Sequence, residues 1–385
     1  MPTHDVFNGS VSRVEILSAD GSIDEQLADE VRDVLDDEAV VAAYREMLVA
    51  RELDDAAYRL QRSGRMGTFP QNKGQEAGPL AAAMTLIAGH DHVVPSYREN
   101  IALFHLGLPM HQILLHWMGD ERGNDIDPKL GISPICISIG AHLPHAAGIG
   151  WKLKIDNDKH GTDRVCMAFF GDGATSEGAF HDGLNFAATG DAPVVFVCQN
   201  NGWAISVPTE KQTRSQTFAQ KALAYGMPGF QADGNDLFAS FKVCRDAVRH
   251  ARAGNGPALV ELTTYRIADH TTVDDASRYR SKEEHERGVA SDPLIRTRRY
   301  LEARGQWNDD LEKQEKERAT RIVKEVIATA MEIEKPGKSD IFDYAFATTP
   351  RELERQRETR RTGSLGQSPR QSTLSRVEAD EAVTV

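Results

Sequence analysis

The chain has 385 residues, a formal net charge of −13 and 40% hydrophobic residues. This acidic balance argues against a nucleic-acid-binding protein, and no apolar run approaches the roughly 18 residues that a membrane span requires. The N-terminal residues lack the basic start and apolar stretch of a signal peptide, and the four cysteines are scattered along the chain. We therefore expect a cytoplasmic protein with reduced cysteines.

Charge is distributed unevenly along the chain. Residues 1–40 hold eleven acidic and two basic side chains, which predicts an acidic, loosely ordered leader over residues 1–36. Residues 351–376 have the opposite balance, with seven arginines and three glutamates. We expect residues 351–385 to hold the end of a basic helix and a disordered tail, and residues 37–350 to form one domain.

The first half of the chain reads as helices with one short strand. Apolar spacing predicts helices over 37–62 (capped by Asp37), 74–87, 110–118 and 143–154, and a strand over 93–95. Residues 119–139 are rich in Gly, Asp and Pro and show no clear period. A loop of this length in a compact domain indicates a functional segment.

The second half alternates strands with helices. A strand over 165–170, a helix over 176–189 and a strand over 194–198 form one unit. A turn over 233–236 caps a helix that ends at Ala253. A strand over 258–264, a polar loop over 267–281 and a charged helix over 311–335 follow. This order predicts an α/β fold with a largely parallel sheet flanked by helices.

Small polar residues follow both strands of the central unit. Gly171-Asp172-Gly173 ends the first strand, and Asn200-Asn201 ends the second after a gap of 26 residues. In parallel sheets the carboxyl ends of neighbouring strands share one crevice, where ligands bind. Carboxylate and amide oxygens suit Mg²⁺ or Ca²⁺, and small residues at a helix start let phosphate oxygens approach backbone amides. Either group alone is typical of a turn; together they favour a cation–diphosphate site.

Two other phosphate-binding motifs are absent. A P-loop requires a glycine five positions before Gly-Lys-Ser/Thr, and the Gly-Lys-Ser at residues 337–339 has Glu332 there. Ser176 stands where a dinucleotide fingerprint requires glycine.

Three segments resemble a known family. Residues 170–189, 200–206 and 265–281 look like the alpha subunit of the thiamin-diphosphate-dependent, decarboxylating first component of 2-oxo acid dehydrogenase complexes. The resemblance covers roughly residues 40–350. It implies the thiamin-diphosphate-binding fold, thiamin diphosphate and Mg²⁺ as cofactors, a heterotetramer of two alpha and two beta subunits, and a lipoyl-bearing dihydrolipoyl acyltransferase core as a further partner.

The resemblance also implies roles for single residues. The metal would be held by the side chains of Asp172 and Asn201 and by the main-chain carbonyl of Trp203. His270 would steady the diphosphate and the reaction intermediates as the active-site loop histidine. Further cofactor contacts are implied for Tyr97, Arg98, Ile137, Ile139, Gly173, Ala174 and Arg266. Gln199 departs from the pattern, because some branched-chain relatives have a phosphate-binding arginine there.

The implied activity is oxidative decarboxylation of a 2-oxo acid and transfer of the acyl group to lipoyl groups. The family's beta subunit supplies the glutamate that activates the cofactor, so we expect this chain to be inactive alone. Residues 233–239, Asp274-Asp275 and the arginine-rich C-terminal helix resemble the branched-chain enzymes, which favours branched-chain 2-oxo acids over pyruvate, acetoin or other substrates. The alternative is pyruvate, because residues 64–77, with Phe69 at the expected substrate entrance, are shared with bacterial pyruvate enzymes. A non-catalytic scaffold subunit is the alternative from another class.

Overall fold

The computed structural model describes residues 9–335, 337, 340–343 and 346–362. The chain divides into two compact units, Met1–Met331 and Glu332–Val385. Strands β1 to β8 are Arg13–Val14, His92–Val94, Cys166–Gly171, Val194–Asn200, Trp203–Ala204, Val207–Pro208, Gly229–Asp233 and Ala258–Thr263. Helices α1 to α14 are Glu25–Asp29, Asp37–Arg62, Ala77–Ala83, Asn100–His105, Met110–Trp117, Leu143–His160, Gly178–Thr189, Thr209–Gln212, Leu237–Arg252, Lys282–Ala290, Pro293–Ala303, Asp309–Glu332, Asp340–Asp343 and Arg351–Thr362.

Six strands form one sheet in the order β1-β7-β8-β4-β3-β2, and every neighbouring pair is parallel. The two remaining strands, β5 and β6, form a small antiparallel hairpin. Within the sheet, Gly171 at the end of β3 pairs with Gln199 near the end of β4. The α/β fold class predicted from the sequence is confirmed, and the two polar groups do lie on adjacent strand ends.

Both faces of the central sheet are covered. Along β3, Met167 and Phe169 belong to one apolar cluster, whereas Ala168 and Phe170 belong to another. Side chains alternate between the two faces of a strand, so a strand covered on both sides reads as a continuous apolar run. This arrangement explains why residues 165–170 contain no polar position.

Helix boundaries differ from the predicted ones for local reasons. The N-cap of α2 is Asp36, not Asp37, because the Asp36 side chain accepts a hydrogen bond from Ala39 N. Helix α3 starts at Ala77 and not at 74, since Gly74 has a positive φ of 91°. Helix α6 runs six residues beyond the predicted end at Lys154 to His160, where Gly161 adopts the left-handed conformation that ends helices.

The described part of the acidic leader, residues 9–36, belongs to the fold. Strand β1 pairs with β7 at the edge of the sheet, and the side chains of Ile16, Leu17, Val31 and Leu35 are buried. The prediction of a loosely ordered leader is therefore wrong for these residues. The acidic composition suggested disorder, but the acidic side chains face solvent while a few apolar residues attach the segment to the core.

The second unit holds α13 and α14, in which Asp343 forms an ion pair with Arg357. The predicted basic helix end coincides with α14, and residues 363–385 of the predicted tail lie outside the described residues. All four cysteines are free thiols, as expected. Among the described helices, none combines the length and apolar character needed to cross a bilayer.

Asp236 generates a prediction about stability. Its buried carboxylate caps α9 by accepting from Phe238 N (2.9 Å) and Ala239 N (3.0 Å), and it also accepts from Ile16 N and Leu17 N at 2.6 Å. Asp236→Ala should lower the free energy of unfolding by about 3 kcal/mol, because four buried N–H groups lose a charged acceptor. Urea unfolding followed by circular dichroism measures this change.

The control is Asp24→Ala. Asp24 is an exposed N-cap that accepts only from Leu27 N (3.1 Å), so its loss should cost about 1 kcal/mol. Equal losses in the two variants would contradict the role given to Asp236.

Candidate active site

A cavity of about 220 Å³ opens at the carboxyl edge of the sheet. It lies where the chain leaves β2, β3, β4 and β8. Ten of the eleven site residues predicted from the sequence line it: Tyr97, Arg98, Ile139, Asp172, Gly173, Ala174, Asn201, Trp203, Arg266 and His270. The exception is Ile137, whose side chain is 53% exposed and which is not among the lining residues. The sheet thus brings together residues up to 173 positions apart in the sequence.

Asp172 begins the short 3-10 turn between β3 and α7. Its carboxylate is buried and accepts a hydrogen bond from Gln212 Nε2 at 2.8 Å, and burial raises its pKa. The neighbouring Gly173 packs closely, because a Cβ added there would lie 3.0 Å from Ala204 Cβ. A buried carboxylate with a raised pKa is a site at which a cation restores the charged form.

The two asparagines after β4 have different surroundings. Asn200 is structural: its Nδ2 donates to Glu261 Oε1 (2.8 Å) and its Oδ1 accepts from Gly202 N (2.9 Å). Asn201 is buried beside the cavity, where its Oδ1 accepts from Trp203 N at 3.2 Å. Asn201 is therefore the asparagine whose amide oxygen can serve a ligand.

Trp203 connects this turn to a later helix. Its Nε1 donates to Glu284 Oε1 in α10 at 2.8 Å, and its ring lies 5.3 Å from the ring of Tyr279. These contacts fix the side chain of Trp203, and Trp203 also lines the cavity. A metal contact through the carbonyl would thus be compatible with tryptophan at this position.

Two guanidinium groups converge on His270. Arg98 Nη2 lies 3.2 Å and Arg266 Nη1 lies 3.1 Å from His270 Nδ1. Arg98 also donates to the carbonyl oxygens of Gln71 (2.7 Å) and His270 (3.1 Å), while Arg266 donates to Ile205 O (3.2 Å) and Tyr279 Oη (3.0 Å). All of these acceptors are uncharged, so the positive charge is not compensated by these contacts.

Electrostatics fix the state of the histidine. Burial and the charges of Arg98 and Arg266 lower the pKa of His270 to about 3. Burial and the charge of Arg98 likewise lower the pKa of Arg266 to about 10. Since Nδ1 of a neutral imidazole accepts from the two arginines, the proton of His270 must be on Nε2. The cluster therefore offers two cations and one neutral N–H donor.

Glu99 and Gln199 form a buried pair that the sequence did not reveal as such. Gln199 Nε2 donates to Glu99 Oε1, and Glu99 Oε2 accepts from Arg98 N at 3.2 Å. Burial raises the pKa of Glu99 to about 7. Gln199 is therefore held by Glu99, at the position where some branched-chain relatives have an arginine.

Several lining residues were missed because nothing in their local sequence marks them: Gln75, Ser96, Glu99, His142, Glu177 and Ile205. Ile205 carries one sign of function, a φ of 57° that is strained for a β-branched residue. Phe69 was expected at the substrate entrance, and the structure places it elsewhere. It is fully buried in the core, packs edge-on against Trp117 and does not line the cavity.

Polar atoms around the cavity are left without partners among the described residues. They are buried and include both donors and acceptors: Gln75 Nε2, His142 Nδ1, Gln199 Oε1 and Arg266 Nε. Buried polar atoms are rarely left unsatisfied in native proteins. Together with the two guanidinium groups and the close approach at Gly173, they fit a polar, anionic ligand such as a diphosphate.

Fold and cavity together define a class: α/β proteins with a polar cavity at the carboxyl edge of a parallel sheet, where such folds bind their ligands. The chain belongs to the dehydrogenase E1 component family, whose model matches residues 44–339. This membership confirms the resemblance seen in the sequence, and the family implies thiamin diphosphate as the cofactor.

Curated relatives agree with the family. The chain is 38% identical over 357 residues to the pyruvate dehydrogenase E1 component subunit alpha of Staphylococcus aureus. The matched residues cover 92% of this chain and 94% of the relative. It is also 38% identical over 346 residues to the protein of the same name from Staphylococcus epidermidis, with 90% and 91% covered. The chain is thus similar to alpha subunits over nearly their full length.

The state of His270 generates a prediction about pH. In the ligand-free protein its imidazole should stay neutral from about pH 8 to about pH 5, whereas an ordinary histidine takes up a proton near pH 6.5. The folded pKa lies below the unfolded one, so the unfolded chain binds more protons between these values. The stability contributed by the neutral form is therefore complete above about pH 6.5 and is lost as the pH falls toward about 3.

Nitrogen-15 NMR of histidine side chains measures this protonation directly, and the resonance that disappears in His270→Asn identifies the group. A signal assigned in this way that titrates near pH 6.5 would contradict the arrangement.

Proposed function

We propose that this chain is the alpha subunit of a pyruvate dehydrogenase, which binds thiamin diphosphate with Mg²⁺ and acts together with a beta subunit. The observation that carries the proposal is the convergence of Arg98 and Arg266 on a neutral His270, beside Asp172 and Asn201. Two buried cations with uncharged partners are costly until an anion joins them. A diphosphate supplies that charge, and a divalent cation offsets the remainder.

The cation would be held by oxygen atoms of three residues. The side chains of Asp172 and Asn201 and the carbonyl of Trp203 provide such a set, and Mg²⁺ takes oxygen ligands, water included. Among the described residues no group of three or more His, Cys, Asp or Glu side chains could hold a metal ion. This mixed set therefore remains the candidate that the cavity offers.

Diphosphate binding would use the remaining groups. Arg98 and Arg266 would neutralise the phosphate oxygens, Tyr97 would pack beside them, and the amides of Gly173 and Ala174 would approach them closely. The backbone of Ile137 and Ile139 would hold the aminopyrimidine ring. His270 would donate its Nε2 proton to an oxygen of the cofactor or of the reacting group.

Bound thiamin diphosphate supplies the electron sink that decarboxylation of a 2-oxo acid requires. The residues of this chain bind and orient that group, neutralise its diphosphate and, at His270, hold a proton on Nε2. Glu99 and Glu177 line the cavity, but in the family the glutamate that activates the cofactor comes from the beta subunit. We therefore propose that the chain is inactive without its partner.

The rim of the cavity supports a partner subunit. Ile139 and Ile205 are exposed apolar residues that line the cavity, and Ile137 and Val207, each two positions away from one of them in the sequence, are exposed as well. Clustered exposed apolar residues indicate a surface that another protein covers. We propose a beta subunit there, in a heterotetramer of two alpha and two beta chains, which passes acyl groups to the lipoyl groups of a dihydrolipoyl acyltransferase core.

Pyruvate is proposed as the substrate because the similar proteins from both Staphylococcus species are pyruvate dehydrogenase subunits. Branched-chain 2-oxo acids, the substrates that the sequence favoured, lack that support. The residues at 233–239 that suggested them have structural roles: Asp233 forms an ion pair with Arg296, and Asp236 caps α9. Branched-chain 2-oxo acids remain the alternative that a rate comparison tests.

Removing the Asp172 carboxylate tests the cation site. Asp172→Ala should abolish Mg²⁺-dependent binding of thiamin diphosphate to the alpha–beta assembly, because the only charged oxygen of the proposed metal set is lost. Isothermal titration calorimetry with and without Mg²⁺ measures the effect. The control is Asp182→Ala, an exposed position in α7, which should bind as wild type. Retention of wild-type affinity in Asp172→Ala would show that the cation lies elsewhere.

A rate comparison tests the substrate. The assembly of this chain with its beta subunit should show a higher kcat/KM for pyruvate than for 3-methyl-2-oxobutanoate, by about tenfold or more. The alpha chain alone should show no turnover of either. A preference for 3-methyl-2-oxobutanoate would favour the branched-chain reading, and binding of the cofactor without turnover of any 2-oxo acid would favour a scaffold.

A further inference from the structure

Gln75 lies at the cavity with an arrangement that none of the assigned roles uses. The residue is 1% exposed, and its Oε1 accepts a hydrogen bond from Asn201 Nδ2 at 3.0 Å. The two residues are 126 positions apart in the sequence. Gln75 therefore touches the residue proposed to supply the amide oxygen of the cation site.

The backbone around Gln75 is firmly held. Gln75 N donates to Asn72 O (2.8 Å), and Gly74 N donates to Glu76 Oε2 (3.0 Å). Gly74 has a φ of 91°, and a Cβ there would lie 2.6 Å from Tyr265 O. Only glycine fits so close to the neighbouring chain. The side chain of Gln75 thus leaves a fixed backbone in a fixed direction.

One backbone N–H determines how both amides are oriented. Trp203 N is a donor, so the atom of Asn201 that it contacts must be the oxygen, Oδ1. The nitrogen of Asn201 then faces Gln75, and the atom of Gln75 that meets it must be the oxygen, Oε1. It follows that Gln75 Nε2 is turned away from Asn201, and this nitrogen is buried without an acceptor among the described residues.

A buried amide nitrogen needs an acceptor, and the chemistry of the cavity indicates which one. Arg98, Arg266 and the Nε2 proton of His270 are all donors or cations on the same cavity. An anionic oxygen satisfies a donor in such surroundings better than a neutral one does. The oxygen atoms of a diphosphate bound in this cavity would be of this kind.

We propose that Gln75 is a positioning and binding residue of this site. Its oxygen holds Asn201 so that Asn201 Oδ1 faces the cation, and its nitrogen donates to an oxygen of the diphosphate. This inference rests on the proposed binding of thiamin diphosphate with Mg²⁺. It assigns two separate tasks to the two ends of one amide, and each task can be removed without the other.

Two substitutions separate the tasks. Gln75→Glu keeps an oxygen for Asn201 Nδ2 and nearly the same shape, but it removes the donor and adds a negative charge. Gln75→Met keeps the volume and removes both functions. Gln112→Met is the matched control, because the Gln112 amide in α5 donates to Asp125 O and neither residue lines the cavity.

The measurement uses the alpha–beta assembly and two titrations, both followed by tryptophan fluorescence because Trp203 lines the cavity. In Gln75→Glu the Kd of thiamin diphosphate at saturating Mg²⁺ should rise by about tenfold or more, while the Mg²⁺ concentration for half-saturation at saturating cofactor should stay within about twofold of wild type. In Gln75→Met both constants should rise. The control should change neither.

The outcomes distinguish the inference from the function on which it rests. If the wild-type assembly binds no thiamin diphosphate with Mg²⁺, the proposed function itself fails. If the wild type binds and both Gln75 variants bind with unchanged constants, the inference is overturned. If Gln75→Glu keeps the wild-type Kd for the cofactor, the donor role is overturned. Melting temperatures of the ligand-free variants show whether each is folded.

Discussion

The site depends on two buried positive charges that face each other across a neutral imidazole. Arg98 and Arg266 both donate to His270 Nδ1, and their other contacts are with carbonyl and hydroxyl oxygens. Burial first, and then the neighbouring like charges, lower the pKa values of Arg266 and His270. Such an arrangement persists because the surrounding fold is stable enough to hold it, and an anion bound there would relieve the repulsion.

The parallel sheet is what makes this arrangement possible. Because β2, β3, β4 and β8 run in the same direction, the segments that follow them all emerge at one edge. Each segment brings one component: arginine after β2, carboxylate after β3, amide after β4, and the second arginine with histidine after β8. The apolar strands, covered on both faces, supply the rigidity that keeps these components in place.

How far the sequence predicts this structure depends on the range of each interaction. Asp172 and Asn201 were found from the residues alone. Each follows one of two adjacent strands, and the parallel pairing of these strands places their carboxyl ends side by side. Arg98 and His270 are 172 positions apart, and only the family resemblance suggested that they share a site. Gln75 escaped notice because its significance comes from a contact with Asn201 that no local pattern encodes. The leader was misread for a related reason, because Ile16 and Leu17 are held by the distant Asp236.

The central claim is that the carboxyl edge of this sheet holds a divalent cation and a diphosphate together. The most direct test is a crystal structure of the alpha–beta assembly with thiamin diphosphate and Mn²⁺, in which anomalous scattering locates the metal. We expect one peak bound by Asp172, Asn201 and the carbonyl oxygen of Trp203, with the diphosphate in contact with Arg98 and Arg266. A metal peak away from these three residues, or a diphosphate that contacts neither arginine, would contradict it.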